Sequence, residues 1–535
     1  MEEAPWPRIL EVMRFSIRLF PRWLAAGMVS ALVLMSMSFD ASSQEPTVGL
    51  LTQTEQSFDG YTLMPVNPSL NTYLLNNCGE VVHQWASDYR PGMMAYLLPD
   101  GDLMRAGRAN NPVFTAGGTG GVIERFSWDG ELEWSCWLSS DSMCQHHDFA
   151  LLPNGNVLAL LWKAYPASEW IARGRDPEMT APSVWATCIQ EIEPTGSEGG
   201  NVVWQWEAID HLVQDFDASK PNYHPPSTRP HEIDVNYATS PNGKDWLHGN
   251  SIDYHPELDQ IVVSSRGFSE VWFIDHSVPA DLTATDAGDL LYRWGNPEAY
   301  GRGTAEDRTL YKQHDAHWLD NGQIMVFSNG NGRPEGDFST VERFTPAITQ
   351  EGTYPISEEA AWGPVASDWR YPETFDPEFF AQNTSGAQLL PNGNVLITEG
   401  NQGDIREVDA DENIVWRYIN PVTNQGILSQ GSQPFNNGVF HANRYAADYP
   451  ALAGMSLPGL GVLEVDDNPA PCTLHPEPTC LGDLSGNQLV DVADLLLVLA
   501  DFGCITACDS DLDADGSVSV SDILALLTVF GQSCS

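Results

Sequence analysis

Four copies of one hairpin motif recur along the 535-residue sequence and indicate its fold class. Each copy has two apolar residues, then Pro or Asp, then Asn or Asp, then Gly, a polar residue and a second apolar run. The copies span residues 97–103, 151–157, 318–324 and 389–395. Asn-Gly or Asp-Gly between apolar runs predicts a tight type I′ turn, because both central residues of that turn take positive φ. A fifth copy with a different turn begins at residue 251 and leads into 261–263.

A second hairpin, rich in aromatic residues, follows these copies at some distance. Its aromatic residues include Trp85, Trp134, Trp206, Trp294 and Trp416. Two hairpins make a four-stranded sheet, and units of about fifty to seventy residues suit the blades of a β-propeller. We predict an all-β fold with a six-bladed β-propeller over residues 45–467, whose fifth blade has an irregular second hairpin near 358–362. The aromatic residues are expected to pack between neighbouring blades.

The two ends of the propeller are expected to pair with each other in the first blade. Strands near 61–85 would join the last strand, near 439–445. Such pairing removes the free edges that open sheets expose.

The N-terminus has the pattern of an export signal. Arg14, Arg18 and Arg22 precede an apolar run over 23–39, and small polar residues over 40–44 offer a cleavage site. We predict a signal peptide over residues 1–44, with Met13 as an alternative start of translation and an uncleaved membrane anchor as the rival interpretation. The mature protein is then secreted, periplasmic or at the cell surface.

The charge balance excludes one class of partner. The chain has 25 Lys plus Arg against 73 Asp plus Glu, a formal net charge of −48. Nucleic-acid binding is not expected, because a phosphate backbone is held by clustered cations. An anionic substrate must therefore be held by a local positive cluster that works against the overall field.

Export makes the nine cysteines candidates for disulfides, and an odd number leaves at least one thiol without an intramolecular partner. The short separation of Cys136 and Cys144 predicts a loop staple. Cys480 with Cys504 and Cys508 with Cys534 bracket two similar halves at the C-terminus, which suggests two further pairs.

A Pro-rich linker over 468–479 leads into a module over 480–535 that contains two similar halves. Each half has oxygen-bearing residues at positions one, three, five and twelve of a calcium loop, followed by an apolar helical run. The second loop has Gly516 at the sixth position, where the turn requires it, whereas Gln488 in the first loop predicts weak binding or none. The candidate calcium ligands are Asp483, Ser485, Asn487 and Asp494 in one loop and Asp511, Asp513, Asp515 and Asp522 in the other.

The tandem loops, with Asp at position twelve, resemble the dockerin type I module of bacterial extracellular proteins. The resemblance implies a small α-helical module with two calcium loops. It also implies a possible protein partner of the cohesin type.

Histidines recur at equivalent places in the repeat. His147 and His314 each stand five residues before the second apolar residue of a hairpin motif. His248 begins the corresponding strand of the blade between them, and Arg266 ends the strand after that. Equivalent positions in a propeller lie at similar heights around its axis, so these four side chains are expected to surround one pocket.

Three imidazoles and one guanidinium suggest two chemistries. Three neutral histidines could bind zinc or copper, but the arginine would repel the ion and no carboxylate ligand is evident. An anion-binding pocket with a nucleophilic histidine agrees better with these residues, since guanidinium forms paired hydrogen bonds to charged oxygens.

Several spaced motifs between residues 60 and 452 resemble the bacterial arylsulfate sulfotransferases, which are secreted six-bladed propellers. The motifs are His146-His147-Asp148, residues 248–252 with 264–266, Gln313-His314 followed by 327–333, and 441–445. The resemblance implies transfer of a sulfuryl group from an aryl sulfate donor to a phenolic acceptor without a catalytic cofactor.

The resemblance also implies roles for single residues. His314 would be the nucleophile that becomes sulfated, and His248, Arg266 and His147 would bind the sulfuryl oxygens, although His146 could replace His147. Asn250 is a weaker candidate for the substrate site, and Thr384, Ser385 and His441 could line the pocket. The alternatives are a non-catalytic propeller that binds sulfated glycans or aromatic ligands, and an aryl sulfate hydrolase.

Overall fold

The structure is a computed structural model that describes residues 46–237, 243–350, 352–465, 472, 482, 484–485, 489–504, 510, 512 and 517–531. These residues form a six-bladed β-propeller and two helices near the C-terminus, so the predicted propeller is confirmed. The predicted signal peptide lies outside the described residues, as does nearly all of the predicted linker. None of the helices within the described ranges is both long enough and apolar enough to cross a membrane.

Most blades are contiguous in sequence, and each has four antiparallel strands in up-and-down order. The first half of the strands is β1 (Gly49–Gln53), β2 (Gly60–Pro65), β3 (Asn71–Leu75), β4 (Val81–Ala86), β5 (Pro91–Leu97), β6 (Leu103–Arg108), β7 (Gly121–Phe126), β8 (Leu132–Trp137), β9 (Met143–Leu151), β10 (Val157–Pro166), β11 (Ser183–Pro194), β12 (Gly200–Glu207), β13 (Leu212–Val213) and β14 (Ile233–Asp234). The second half is β15 (Gly249–His255), β16 (Gln260–Ser265), β17 (Glu270–Asp275), β18 (Tyr292–Trp294), β19 (His314–Trp318), β20 (Ile324–Ser328), β21 (Thr340–Phe344), β22 (Trp369–Tyr371), β23 (Gly386–Leu389), β24 (Val395–Glu399), β25 (Asp404–Val408), β26 (Ile414–Ile419), β27 (Val422–Thr423), β28 (Gly426–Ile427) and β29 (Asn443–Ala446). The helices are α1 (Ala167–Ala172), α2 (Val492–Ala500) and α3 (Val520–Thr528).

Two strand pairings close the ring. Strand β29 pairs with β2, with Tyr445 opposite Tyr61, which confirms the predicted closure of the first blade. Strand β1 also pairs with β26, with Gly49 opposite Ile419, and adds a fifth strand to the last blade. The N-terminal residues therefore seal two adjacent blades rather than one.

The hairpin motifs form hairpins, but the predicted turn type is wrong. In the copy over 97–103, the amide of Gly101 donates to the carbonyl of Leu98 at 3.0 Å, and the amide of Leu98 donates to the carbonyl of Asp102 at 2.8 Å. Only Gly101 in this turn takes positive φ, 98°, so the turn is type I followed by a left-handed glycine. Pro99 explains the choice, because its fixed φ near −65° suits the first central position of a type I turn and excludes type I′.

Tryptophans of the second hairpins join neighbouring blades, as predicted. Their indole N–H groups donate to backbone carbonyls of the following blade, which satisfies the one polar atom of a large buried ring. The pairs are Trp85 with Ser127 at 3.1 Å, Trp134 with Gly199 at 2.9 Å, Trp206 with Gly288 at 2.8 Å, Trp294 with Pro364 at 2.7 Å and Trp416 with Asn77 at 2.8 Å.

The fifth blade departs from the prediction. Its outer strand is β22, at 369–371, and residues 358–362 contain no strand. The reason is that Trp362 fills the gap beside blade four, where it is buried against Tyr292 at a ring-centroid distance of 6.0 Å. A later segment is therefore left to pair with β21.

Buried carboxylates tie the inner strands together. Asp148 accepts the amide of Ile252 at 3.0 Å, and Asp253 accepts the amide of Trp318 at 2.8 Å. Asp315 accepts the amide of Ala387 at 2.8 Å in the same way. These bonds connect blades three to six, so the side chains at the starts of these strands are held at fixed heights.

The disulfides differ from the prediction. Cys136 and Cys144 are free thiols, so the predicted loop staple is wrong. Cys144 packs with Phe114 and Trp162, whereas Cys136 belongs to a different hydrophobic cluster, and the two side chains therefore do not face each other. Cys78 is bonded to Cys472, 394 residues further along the chain. Cys504 is also disulfide-bonded, and its expected partner lies outside the described residues, as do Cys508 and Cys534.

The two C-terminal helices begin with matching caps. Asp494 and Asp522, the candidate ligands at position twelve of the two loops, each complete a capping box at a helix N-terminus. Asp494 also accepts the amide of Ser485 at 2.8 Å, and Asp522 accepts the amide of Leu512 at 2.8 Å. The other candidate ligands, Asp483, Asn487, Asp511, Asp513 and Asp515, lie outside the described residues.

Candidate active site

His314 is the first residue of β19, His248 directly precedes β15 and His147 lies in the middle of β9. The backbone at these places is irregular. His147 and His248 take left-handed conformations with φ of 54° and 48°. The ladders of β15 with β16 and of β19 with β20 shift register at the same level. Such bulges redirect side chains, and left-handed non-glycine residues cluster at functional sites because the strain must be supported by surrounding structure.

The three predicted histidines converge. A ring nitrogen of each of His147, His248 and His314 lies within 4.8 Å of the others. The ring centroids of His147 and His248 are 4.8 Å apart, and those of His147 and His314 are 6.3 Å apart. Nitrogens at this spacing can surround one small anionic group or one metal ion.

Arg266 follows β16 and lines a cavity of about 780 Å³ together with His248. Within the described residues its guanidinium forms no ion pair, and its Nε atom is buried without a hydrogen-bond partner. Burial lowers the pKa of Arg266. Asp245, which lines the same cavity, partly offsets this lowering but forms no ion pair with Arg266. A half-buried guanidinium in this setting can bind an anion that enters the cavity.

A hydrogen-bond network selects the tautomer of His314. Asn329 Nδ2 donates to the carbonyls of Ala381 at 2.8 Å and Thr384 at 3.0 Å, so its Oδ1 faces Nδ1 of His314 at 2.6 Å as an acceptor. Nδ1 therefore carries the proton and Nε2 carries the lone pair, which accepts the amide of Thr384 at 3.3 Å. Burial lowers the pKa of His314 well below its usual value, and Arg266 lowers it further, so the ring is neutral.

His248 is held by a carboxylate that sequence reasoning missed. Nδ1 of His248 lies 2.5 Å from Oδ2 of Asp245, which leaves Nε2 for the cluster. Burial raises the pKa of Asp245, but His248 outweighs this and the net shift is downward, so Asp245 is ionised. The only sequence feature that points to Asp245 is its position three residues before His248.

His147 and His146 have different surroundings. Their Nδ1 atoms are 2.8 Å apart, and His146 stacks on Trp162 with ring centroids 4.0 Å apart. Burial lowers the pKa of His146 to about 3 and that of His147 well below its usual value, with further lowering of the latter by His248. His146 is outside the three-histidine cluster and contacts it through its hydrogen bond with His147.

Asn250 joins two blades. It is fully buried, and its Nδ2 donates to the carbonyl of Gln313 at 2.8 Å, immediately before His314. Like His147 and His314, it is not among the residues that line the cavity around Arg266, to which the cluster contributes His248. The structure therefore places Asn250 where it holds the His314 strand.

Lys312 lines the same cavity and was also missed. Its Nζ donates to the carbonyl of Gly267 at 3.2 Å, and within the described residues it has no carboxylate partner. Burial, together with the nearby charges of Arg266 and Arg308, lowers the pKa of Lys312 to about 8. Together with Arg266 it supplies the local positive charge that an anionic substrate needs in a chain of net charge −48.

Phe440 packs beneath the cluster. Its ring centroid lies 5.9 Å from that of His147 and 6.3 Å from that of His314, and the side chain is buried. Apolar contact on this side keeps water from the imidazoles and maintains their low pKa.

Comparisons with known proteins identify a family for this chain. The model of the family described as arylsulfotransferase (ASST) matches residues 107–426, more than half of the chain. No curated protein matches the sequence.

Several solved structures are similar to this chain at low identity. A protein of unknown function from Bacteroides caccae is 12% identical, with 72% of this chain and 98% of that chain covered and a TM-score of 0.40. The periplasmic gluconolactonase from Pseudomonas aeruginosa is 12% identical, with coverage of 72% and 99% and a TM-score of 0.35. Virginiamycin B lyase from Staphylococcus aureus is 12% identical, with coverage of 70% and 84% and a TM-score of 0.33. TM-scores of this size carry no functional information for this chain.

Proposed function

The chain belongs to the arylsulfotransferase family, and on that premise we propose that it transfers a sulfuryl group from an aryl sulfate to a phenol through a sulfated His314. The observation that carries the proposal is the tautomer of His314. Asn329 holds the proton on Nδ1, which leaves the Nε2 lone pair as the nucleophile. That lone pair accepts one long bond, from the amide of Thr384 at 3.3 Å, which the attack on sulfur replaces.

In the first step, Nε2 of His314 forms a bond to sulfur while the bond between sulfur and the aryl oxygen breaks. The electron pair of that bond leaves on the phenolate oxygen, which takes a proton from a neighbouring imidazole. His248 is the candidate donor, because Asp245 holds its Nδ1 and leaves Nε2 for the cluster. Asn329 keeps its hydrogen bond to Nδ1 as the sulfated ring becomes positively charged.

The sulfuryl oxygens would be held by Arg266, His248 and His147. Their partial charges shift during the transfer, and donors fixed in a buried site stabilise such charge without rearranging. Arg266 suits this role because it has no carboxylate partner within the described residues, and Lys312 adds a second positive charge on the cavity wall.

In the second step, the acceptor phenol gives its proton to the imidazole that donated one before. The phenol oxygen bonds to sulfur, the bond between sulfur and Nε2 breaks, and its electron pair returns to His314. Atoms and charge balance over the two steps, and no cofactor is needed for catalysis.

Release of phenol from a chromogenic aryl sulfate tests the proposal. The wild type and His314→Ala are compared with and without a second phenol. Acceptor-dependent release that His314→Ala abolishes supports the transferase. Release of free sulfate without an acceptor favours the aryl sulfate hydrolase, and no release from folded protein favours the propeller that only binds sulfated glycans or aromatic ligands.

We also propose that residues 480–535 form a dockerin-like module that binds calcium and a cohesin-like protein. The oxygen donors Ser485, Asp494 and Asp522 suit a hard cation, and both carboxylates are fully buried and point to loop amides. Calcium would order the loops around the helix N-termini. Exposed apolar residues on α2 and α3, among them Leu496 and Leu524, support a protein partner, and a secreted location agrees with such a module.

A further inference from the structure

A second cavity lies farther along the inner strands than the histidine cluster. It has a volume of about 440 Å³, and its lining includes Asp148 of β9, Asp253 of β15, Asp315 of β19 and His441, which precedes β29. We name it the rear chamber. His441 directly follows Phe440, whose ring contacts the catalytic histidines, so the two cavities are neighbours on one axis.

The rear chamber contains more buried carboxyl groups than it has cationic partners for them. Asp315 lies 3.3 Å from Nδ1 of His441 and 3.7 Å from Nδ1 of His317. Within the described ranges, Asp148 and Asp253 have no ion-pair partner and are held only by neutral groups, such as the amides of Ile252 and Trp318. Burial raises the pKa of both carboxyls, that of Asp148 to about 7. Buried carboxylates are normally paired with a cation.

His441 provides an independent sign of a ligand. Its side chain is 5% exposed, and its Nε2 atom is buried without a hydrogen-bond partner among the described residues. Burial lowers the pKa of His441, but Asp315 and Asp148 outweigh this and raise it overall, which favours the ring with a proton on both nitrogens. A buried donor without an acceptor is destabilising, and a bound acceptor would remove that cost.

The shape of the chamber favours an organic cation over a bare metal ion. The only set of three or more possible metal ligands that converges within the described residues is the histidine cluster, so the chamber offers no three-ligand metal site there. Its volume is that of a small-molecule pocket. Tyr96, Tyr445 and Tyr449 line its wall, and aromatic faces attract ammonium groups.

We propose that the rear chamber binds a small organic ammonium ion that carries a hydrogen-bond acceptor. The ammonium group is held by Asp148 and Asp253, and the acceptor receives the Nε2–H of His441. This site is separate from the sulfuryl site and does not depend on the proposed transferase activity.

Calorimetric titration of the full chain with ethanolamine and with 2-amino-1-phenylethanol tests the inference. The expected result is saturable binding of at least one amine and none of 2-phenylethanol, which has the ring and hydroxyl without the charge. Asp253→Asn, which keeps an oxygen for the Trp318 amide, should weaken binding at least tenfold, and Asp148→Asn should do the same. Arg266→Met and Glu298→Gln, which alter the other cavity, should leave binding within about twofold of wild type.

Three results overturn the inference. One is no saturable binding of either amine to folded wild-type protein. The second is equal binding of the neutral alcohol. The third is binding that persists in both aspartate variants or disappears in Arg266→Met or Glu298→Gln, which would locate the amine in the sulfuryl cavity or elsewhere.

Discussion

Asn329 Oδ1 lies 2.6 Å from Nδ1 of His314, and the two donor bonds of the same amide fix its orientation. The relationship connects a residue of the loop after β20 to the first residue of β19. It determines which ring nitrogen can act as a nucleophile, since the lone pair is left on Nε2.

Asn329→Leu should therefore reduce kcat for sulfuryl transfer by about a hundredfold while KM changes little, because orientation and proton position are lost but substrate contacts remain. Asn329→Asp retains an acceptor for Nδ1–H and should recover part of the rate. Steady-state kinetics with an aryl sulfate and excess phenol measures both. Asn437→Leu is the control, because this buried amide donates to the carbonyls of Gln402 and Asn420 and not to a histidine, and an equal loss of kcat in that variant would contradict the account.

Arg266→Met should lower kcat/KM by about 10²–10³-fold, since a fixed charged donor to the sulfuryl oxygens is removed. Arg308→Met is the matched control. Arg308 lines the same cavity but is paired with Glu298 at 2.8 Å, so its loss should cost less than about tenfold. Similar losses in the two variants would mean that the cavity acts only through its overall positive charge.

The lowered pKa of Lys312 predicts that its contribution to activity depends on pH. Its pKa is lowered to about 8, so its charge is complete below that pH and is lost as the pH rises through it. The ratio of wild-type to Lys312→Met activity should therefore fall toward one above pH 8. Because both proteins are measured with the same phenol at each pH, the effect of phenol ionisation on the rate cancels in the ratio. Lys163→Met, whose lysine is paired with Glu207 at 2.5 Å, should give a ratio that does not change with pH. A constant ratio for Lys312→Met would contradict the role.

The calcium loops predict unequal binding. Asp522→Asn should abolish the tighter calcium site seen by calorimetry, and Asp494→Asn should have little effect on it, because Gly516 favours the second loop. Chelation should reduce the helical signal of the C-terminal module and leave phenol release unchanged. Loss of phenol release on chelation would show that the module or another calcium site supports the propeller.

The propeller could be predicted because the sequence patterns that specify its hairpins are short and recur in each blade. Gly101 and its equivalents mark hairpins within a few residues, and tryptophans such as Trp416 recur at matching places. The turn type was mistaken because Asn-Gly and Asp-Gly suit two hairpin geometries, and Pro99 decides between them. Trp362 misled the placement of the fifth blade because an aromatic residue can fill a gap between blades without belonging to a strand.

Long-range relationships were beyond the sequence. Cys78 and Cys472 are 394 residues apart, and their pairing follows only from the closed fold. Asn329 lies in a motif that the sequence reveals, but its bond to His314 depends on a bulge and on the position of Thr384. Lys312 and Asp245 have no pattern of their own, so only the structure brings them to the cavity. The roles of His147, His248, Arg266 and His314 were inferred from family resemblance and stay predictions.

Detection of the covalent intermediate tests the central claim most directly. Wild-type protein is incubated with an aryl sulfate in the absence of phenol. The reaction is quenched under alkaline conditions, which preserve the N–S bond of sulfated histidine, and the protein is then digested and analysed by peptide mass spectrometry. The account predicts one added sulfuryl group on His314, lost when a phenol is added before quenching and absent in His314→Ala. Acceptor-dependent phenol release by wild-type protein without sulfation of His314, or with sulfation of another residue, would contradict it.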